Sequence, residues 1–331
     1  MSIVNIRVYA ITVSLLLLFA CTDKEPASIA TADVSIAVST SPLSTPVFVA
    51  KKKGFFKKHG VNVTLQRRHG GHISLKAVLA GEADYATTSD YPIMINAFKR
   101  SDYEVIATFV SSDNDVKMMA DKRKNILAAA NLKGKNVGVV TGGSSHYFLD
   151  RFLLFNAMKL EDVVVKHVGP EKMPDALASG EVDAIAVWEP SGYLAKKKLG
   201  ANLQIFPAKD YYRETFNIVG LKKTISDNKE VNIRILRALI DASEFIQGSP
   251  KEAQQIIIEE LSLDKEFIDW IWDDFAFRVS LEQTLLITIE NEARWAVENG
   301  IVSSDQAPNY LEYINSKPLS SVDRGLVRLV Q

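Results

Sequence analysis

The segment Gly142-Gly143-Ser144-Ser145-His146-Tyr147 follows an apolar run at 136–140 and leads into an amphipathic stretch at 146–158, so it reads as the turn between a strand and a helix. Two glycines let the backbone approach a ligand, the serines offer hydroxyls, and the first turn of the helix presents N–H groups carrying a positive partial charge. An oxyanion fits such a turn without a full counter-charge. The plainer reading is that Ser144 or Ser145 caps its helix, worth about 1 kcal/mol, and the two roles are not exclusive. His146 either donates to the ligand or simply occupies the first helical turn. The segment lacks the lysine and spacing of a phosphate-binding P-loop, which argues against nucleotides.

Asp90 and Glu189 each close a run that reads as a strand, and two acids pointing into one cleft would repel an anion. One resolution is a ligand with a cationic end, a taurine-like zwitterion whose ammonium pairs with Asp90 while its sulfonate sits at Ser144 and Ser145. The other is that the acids cap helices or bridge lobes. Trp188 either covers an apolar ligand body or packs as core. Ser44-Thr45 stands in the same relation to its preceding strand as Ser144-Ser145 does to its own.

Other constellations carry less. His59, His69 and His72 lack a second carboxylate at helical spacing and read as surface histidines, not metal ligands. The Lys51–Lys53 and Lys196–Lys198 runs read as solvated helix faces. Trp270, Trp272, Phe275 and Phe277 read as packing between a helical tail and the rest of the body. Ser144, His146 and Asp150 are neighbours on one turn and cannot converge as a nucleophilic triad.

These residues need a scaffold, and its pattern is legible from residue 34 onward. Strand-like runs at 34–39, 61–65, 85–88 and 105–110 alternate with helical patterns at 47–58, 74–80 and 91–99. A second round has strands near 136–140, 163–168, 184–188 and 203–206, with helices near 146–158 and 174–179, and predicts parallel α/β lobes. After a strand at 216–222 the pattern predicts helices alone, at 232–247, 250–261, 265–275, 281–299 and 307–314. An internal echo links the rounds. Ala77-Val78-Leu79-Ala80-Gly81-Glu82-Ala83-Asp84 matches Ala176-Leu177-Ala178-Ser179-Gly180-Glu181-Val182-Asp183 at an offset of 99 residues. Two similar lobes facing one another with the carboxyl ends of their strands would enclose a ligand between their loops.

A chain of 331 residues is long enough for two such lobes, and 47% apolar with 24% charged residues is the composition of a packed protein. The 39 basic and 40 acidic residues leave a net charge of -1, which excludes the basic footprint of a nucleic-acid binder. Residues 1–20 carry Arg7 as their sole charge and an apolar block at 15–19 within an apolar stretch too short to span a bilayer, and read as a signal peptide. The stretch Leu18-Phe19-Ala20-Cys21 resembles a bacterial lipoprotein signal in which the thiol of Cys21, the single cysteine, is lipidated; Phe19 is a less usual residue there. An ordinary signal peptide with an incidental cysteine is the plainer alternative. Residues 21–33, small, polar and charged, read as a lipidated flexible tether.

A family resemblance then emerges. The stretch Val47-Phe48-Val49-Ala50-Lys51-Lys52-Lys53-Gly54-Phe55-Phe56, Gly60-Val61-Asn62-Val63 and Leu132-Lys133-Gly134-Lys135-Asn136-Val137 resemble the periplasmic substrate-binding proteins of sulfonate, nitrate and taurine ABC importers. The Gly142–Tyr147 turn, Ser179-Gly180-Glu181-Val182-Asp183-Ala184, Val187-Trp188-Glu189-Pro190 and the closing Pro318-Leu319-Ser320-Ser321-Val322-Asp323 are similar to segments of the alkanesulfonate-binding members. The resemblance implies an α/β, two-lobed type II periplasmic binding protein fold with a helical C-terminal tail. Lobe 1 is expected to comprise 34–112 plus 218–331 and lobe 2 residues 113–217, with the chain crossing near 111–115 and 213–219. It implies a monomeric, lipid-anchored receptor on the periplasmic side of a bacterial membrane, without cofactor, metal or nucleic-acid partner and without catalysis. Such a receptor delivers a small anionic or zwitterionic organic ligand to the permease and ATPase subunits of an ABC importer. The candidate ligand-binding residues are Ser41, Ser44, Thr45, Ser89, Asp90, Gly142, Gly143, Ser144, Ser145, His146, Trp188 and Glu189. The alternatives are a thiamine-precursor pyrimidine binder, a sensory receptor, or a biosynthetic enzyme on the same fold. That enzyme carries a cysteine-rich motif and iron chemistry, against which a single lipidated cysteine argues.

Overall fold

The computed structural model describes residues 31–207, 209 and 211–330, and these form two mixed sheets linked by two crossings of the chain. The expected signal peptide, the lipidation site at Cys21 and the tether as far as residue 30 lie outside the described residues. The chain first runs through β1 (Ala32–Ser39), α1 (Thr45–Lys52), α2 (Phe55–Lys58), β2 (Val61–Arg68), α3 (Gly71–Leu79), β3 (Tyr85–Ser89), α4 (Asp90–Ala97) and β4 (Tyr103–Ser112). It crosses to β5 (Lys117–Asp121), β6 (Asn136–Val139), α5 (Ser144–Phe155), β7 (Val164–His167), α6 (Met173–Ser179), β8 (Ala184–Val187), α7 (Ser191–Leu199) and β9 (Leu203–Ile205). It then returns through β10 (Glu214–Leu221), α8 (Lys222–Asp227), α9 (Lys229–Gly248), α10 (Pro250–Leu261), α11 (Lys265–Ile271), β11 (Phe275–Glu282), α12 (Gln283–Glu298), α13 (Lys317–Val322) and β12 (Val327–Arg328). Among the described residues no helix is long and apolar enough to cross a membrane.

The larger sheet has the order β12-β11-β4-β10-β3-β1-β2 and the smaller β7-β6-β8-β5-β9. The expected parallel pairing holds for β2-β1-β3 and for β7-β6-β8. It fails for β10, which is antiparallel to β3 and β4, and for β5, which is antiparallel to β8 and β9. The reason is topological. The chain leaves each lobe at the carboxyl end of a strand, so the strand that receives it starts at that same end and must run against its neighbours.

The tail is not helical throughout, which corrects the expectation of helices alone. β11 lies antiparallel to β4 and fills the gap between two expected helices, taking in the last residue of one and the first two of the next. Phe275, Phe277, Val279 and Leu281 are buried while Ala276 and Arg278 are exposed, a period of two that a helix cannot sustain. The expected helix at 47–58 breaks into α1 and α2, and the one at 307–314 is a 3-10 turn at Tyr310–Tyr313. β5 and α7 had no assignment. β1 starts at Ala32, so it takes in two residues read as tether.

The internal echo has a common physical basis in the two lobes. Asp84 and Asp183 each stand between a helix and a strand, and each turns its carboxylate onto the backbone of the adjacent parallel strand. The Ser35 amide donates to Asp84 Oδ2 at 2.8 Å, and the Asn136 amide donates to Asp183 Oδ2 at 2.9 Å. Gly81 and Gly180 precede them at φ +74° and +81°, the left-handed turn that ends α3 and α6. A hydrophobic core joins both lobes, running from Val34 and Phe48 to Phe148 and Phe152, and a second cluster around Met119, Met173 and Leu177 fills the far face of the smaller sheet.

Candidate functional site

The chain passes between lobes from β4 to β5 and from β9 to β10, and the carboxyl ends of β1, β3, β6 and β8 lie on the same edges of their sheets, the position at which open α/β sheets bind ligands. The two walls touch directly. The Tyr91 hydroxyl, on α4 of the larger lobe, donates to the carbonyl of Gly142 in the β6–α5 turn at 2.6 Å. Trp295, on α12, stacks edge-on against His146 and Tyr147 of α5, with ring centroids 5.1 and 5.6 Å away.

The β6–α5 turn is braced largely by its own atoms. Gly142 sits at φ +73°, and its amide donates to His146 Nδ1 at 3.3 Å. That bond requires a neutral imidazole with its proton on Nε2, and burial pushes the His146 pKa down in agreement. Ser145 is fully buried and its hydroxyl oxygen accepts from the Val140 amide at 3.0 Å, so it turns back onto the backbone just after β6 and does not cap α5. The N-cap is Gly143, whose carbonyl accepts from the amides of His146 and Tyr147 at 3.0 and 3.2 Å. Ser144 is half-buried at the first position of the helix.

On the opposite wall, Ser41 accepts from the Leu43 amide at 3.2 Å, and the Thr45 hydroxyl donates to the Pro42 carbonyl at 2.5 Å. Ser44 and Thr87 share a hydroxyl contact of 3.1 Å. These three residues hold their own turn. Asp90 opens α4 with no solvent exposure and accepts from the Tyr212 hydroxyl at 2.6 Å, the Thr215 amide at 2.8 Å, the Thr215 hydroxyl at 3.1 Å and the Tyr91 amide at 2.9 Å. Burial nevertheless raises its pKa to about 6. Ser89, just before it, hydrogen-bonds the carboxyl of Glu214.

Glu189 is bound up with Lys117 and the tail and adjoins the cleft acids through Asp115. It accepts from the Trp270 indole at 2.8 Å and the Tyr193 amide at 2.8 Å and lies 3.2 Å from Lys117 Nζ, which is also 3.2 Å from Asp274. Trp188 is half-buried against the core. Trp270 carries the Lys196 ammonium 3.9 Å over its ring, so this aromatic group packs the tail against the smaller lobe as its composition predicts. His59, read as a surface residue, pairs with Asp241 at 2.8 Å.

Several residues of the cleft escaped the sequence reading. Burial pushes the Asp115 carboxyl up to about 7, with Lys117 holding it lower than it would otherwise stand. Glu214 is driven well above the usual carboxylate range by burial and by the charges of Asp115 and Asp90, and it shares a hydrogen bond with Asp115. Glu292 on α12 is raised in the same way by burial and by Asp90. Its signal was present in the sequence: it falls on the stripe of Leu285, Ile289 and Ala296, a lone acid on the apolar face of a helix. Tyr91, Tyr212 and Thr215 have no distinguishing spacing.

Residues 41–253 match the family described as NMT1/THI5 like. A protein of Brucella abortus named as a binding protein is 26% identical over 223 residues, covering 66% of this chain and 67% of that one. A Bacillus subtilis protein named as an aliphatic sulfonates-binding protein is 24% identical over 230 residues, covering 68% and 69%. The solved periplasmic aliphatic sulphonate binding protein of Escherichia coli superposes with a TM-score of 0.73 at 17% identity, over 87% of this chain and 93% of that one. That likeness establishes the fold of this chain as that of the periplasmic binding proteins.

Proposed function

The chain belongs to the NMT1/THI5-like family, and from that premise we propose that it is the solute-binding component of an ABC importer, closing its two lobes about a small organic solute. The observation that carries this reading is the direct bond between lobes, Tyr91 hydroxyl to Gly142 carbonyl, set among buried polar side chains at the switch points of both sheets. A protein that only needed to join two lobes would do so with apolar surface; polar groups gathered at a closing seam suit a guest with polar groups of its own. The sulfonate-binding relative favours a solute with an anionic head, and the first turn of α5, with Ser144 and its amides, is the place for one. A taurine-like zwitterion fits better than a plain alkanesulfonate, because the facing wall carries Asp90.

The receptor is held on the periplasmic side of the membrane by lipid on Cys21, hands its solute to a permease, and does not transform it. Two experiments test this. A thermal-shift series with taurine, alkanesulfonates, nitrate and aminopyrimidines reports binding, because a solute that binds the native state raises its stability by mass action. Metabolic labelling with a fatty acid reports the anchor: Cys21→Ser should lose the label and leave the membrane fraction, and a variant that keeps its label contradicts the lipoprotein reading.

A further inference from the structure

We infer that Glu292 is the receptor for a cationic nitrogen of the ligand, with Asp90 as a fixed negative charge behind it. The inference rests on the reading above that the solute lodges between the lobes. Glu292 has no solvent exposure, and both of its carboxyl oxygens are buried without a hydrogen bond. The nearest hydroxyl with a claim on it, that of Tyr212, has a single proton and donates it to Asp90 Oδ1 at 2.6 Å. Native proteins rarely leave buried polar atoms in this state, and a carboxyl group kept there without a donor points to a donor brought by something else.

The surroundings of Glu292 are acidic and favour a positively charged donor. The groups that bear on Glu292 are Asp90, Glu214 and Tyr212, and Glu292 in turn acts on the hydroxyls of Tyr91, Tyr147 and Tyr310. Among the described residues no lysine, arginine or histidine forms an ion pair with Asp90, Glu214 or Glu292. Lys117 is engaged by Glu189 and Asp274, Arg151 lies towards the Tyr147 hydroxyl, Arg213 is 3.7 Å from Asp113, and His146 accepts a hydrogen bond as a neutral ring. Asp90 has four protein donors and stays in place as charge, whereas Glu292 has acceptor capacity to spare. Glu214 Oε2, Thr88 Oγ1 and Ser39 Oγ, at the start of β10 and the ends of β3 and β1, are likewise buried and unpartnered.

Aromatic rings pack beside these acids: Tyr147 lies edge-on to Tyr212 and Trp295, at 5.6 Å from each. The ligand class is therefore a small solute with a charged N–H donor: a primary amine, an amidine or a protonated amino-heterocycle. A plain anion would bring no N–H donor to the unpartnered oxygens of Glu292 and would meet the charge of Asp90.

The test uses the full chain in mild detergent, as wild type and as Glu292→Gln and Glu292→Leu, with taurine, ethylamine and ethanesulfonate as probes. Without any probe, Glu292→Leu should melt a few degrees above the wild type, because it removes an unpartnered acid from the interior, while Glu292→Gln, which leaves an equally unpartnered amide, should melt like the wild type. If Glu292 serves the fold alone, both melt lower, and that result overturns the inference whatever the probes do. With probes, taurine or ethylamine should bind the wild type at least tenfold more tightly than ethanesulfonate does, and Glu292→Gln should abolish that preference. Ethanesulfonate bound as tightly as taurine, with no response to the substitution, also overturns it. If none of the three probes binds, the melting comparison decides. Failure of the clamp itself looks different: a solute binds, with or without charge preference, and the lobes do not move.

Discussion

Removing the ammonium of Lys117 should destabilise the body by about 3–5 kcal/mol, the range for breaking a buried ion pair from one side. Lys117 begins β5, the first strand after the chain crosses, and its side chain is 3% exposed. Its Nζ lies 3.2 Å from Glu189 on its own lobe and 3.2 Å from Asp274 on the returning tail, and it donates to the Asn114 carbonyl. Lys117→Met keeps the length of the side chain and leaves Glu189, with a side chain 1% exposed, facing Asp274 and Asp115 without a cation. For a body of this size about 2 °C of melting temperature accompanies each kcal/mol, so the loss should be roughly 6–10 °C at pH 7. The deficit should shrink at pH 5. Without the lysine the pKa of Asp115 rises further above about 7, and an acid that binds its proton more tightly in the folded state regains stability as pH falls. Combining the substitution with Glu189→Gln should give less than the sum of the two losses, a coupling of about 1–3 kcal/mol. A loss under about 1 kcal/mol that does not change with pH would refute the reasoning, since the cation would then not be what balances these acids.

Two further outcomes follow from the same physics. The pKa values of Asp90 and Asp115 are raised to about 6 and about 7, and those of Glu214 and Glu292 are raised too, so the folded state binds more protons than the unfolded chain. The contribution of these acids to stability is therefore greatest below about pH 4 and declines as pH rises towards 7, by about 3 kcal/mol for Asp90 alone; urea midpoints across that range should fall, and should fall less in Glu292→Gln. Asp84→Ala and Asp183→Ala should each cost about 1.5–3 kcal/mol, as for hydrogen bonds to a charged acceptor; equal midpoints for parent and variants would remove the structural basis given for the repeat.

What the sequence made legible was local and periodic. The repeated Gly-Glu-x-Asp turn was visible because its glycine and acid do the same work in both lobes, ending a helix and tying the next strand to its neighbour. The Gly142–Tyr147 turn was visible because strand, glycines and helix start are contiguous. β11 was obscured by its flanks: its eight residues lie between two helical patterns, and its pairing partner β4 is more than 160 residues earlier in the chain. The candidate residues Ser41, Ser44, Thr45 and Ser145 have the right chemistry and the right loops; Thr45 gives its proton to the Pro42 carbonyl, Ser44 meets Thr87, and the oxygens of Ser41 and Ser145 turn onto backbone amides a few residues away. No spacing rule reveals which way a hydroxyl turns. Glu189 was recognised as a strand-end acid, while its partners at Lys117 and Trp270 arrive from distant segments. Glu292 was the one missed residue with a signal, an acid on a buried helical stripe, and nothing in the sequence alone placed that stripe against Asp90.

The central claim, that the lobes close on a solute, is tested most directly by the distance between them. Cys21 is the single cysteine, so in a Cys21→Ser chain two introduced cysteines carry spin labels without interference. His72 at the start of α3 and Glu171 between β7 and α6 are exposed and lie on different lobes. Their distance distribution should be long and broad in the unliganded protein and contract to one short population when a solute that raises the melting temperature is added at saturation. An unchanged distribution with that solute bound would contradict the account.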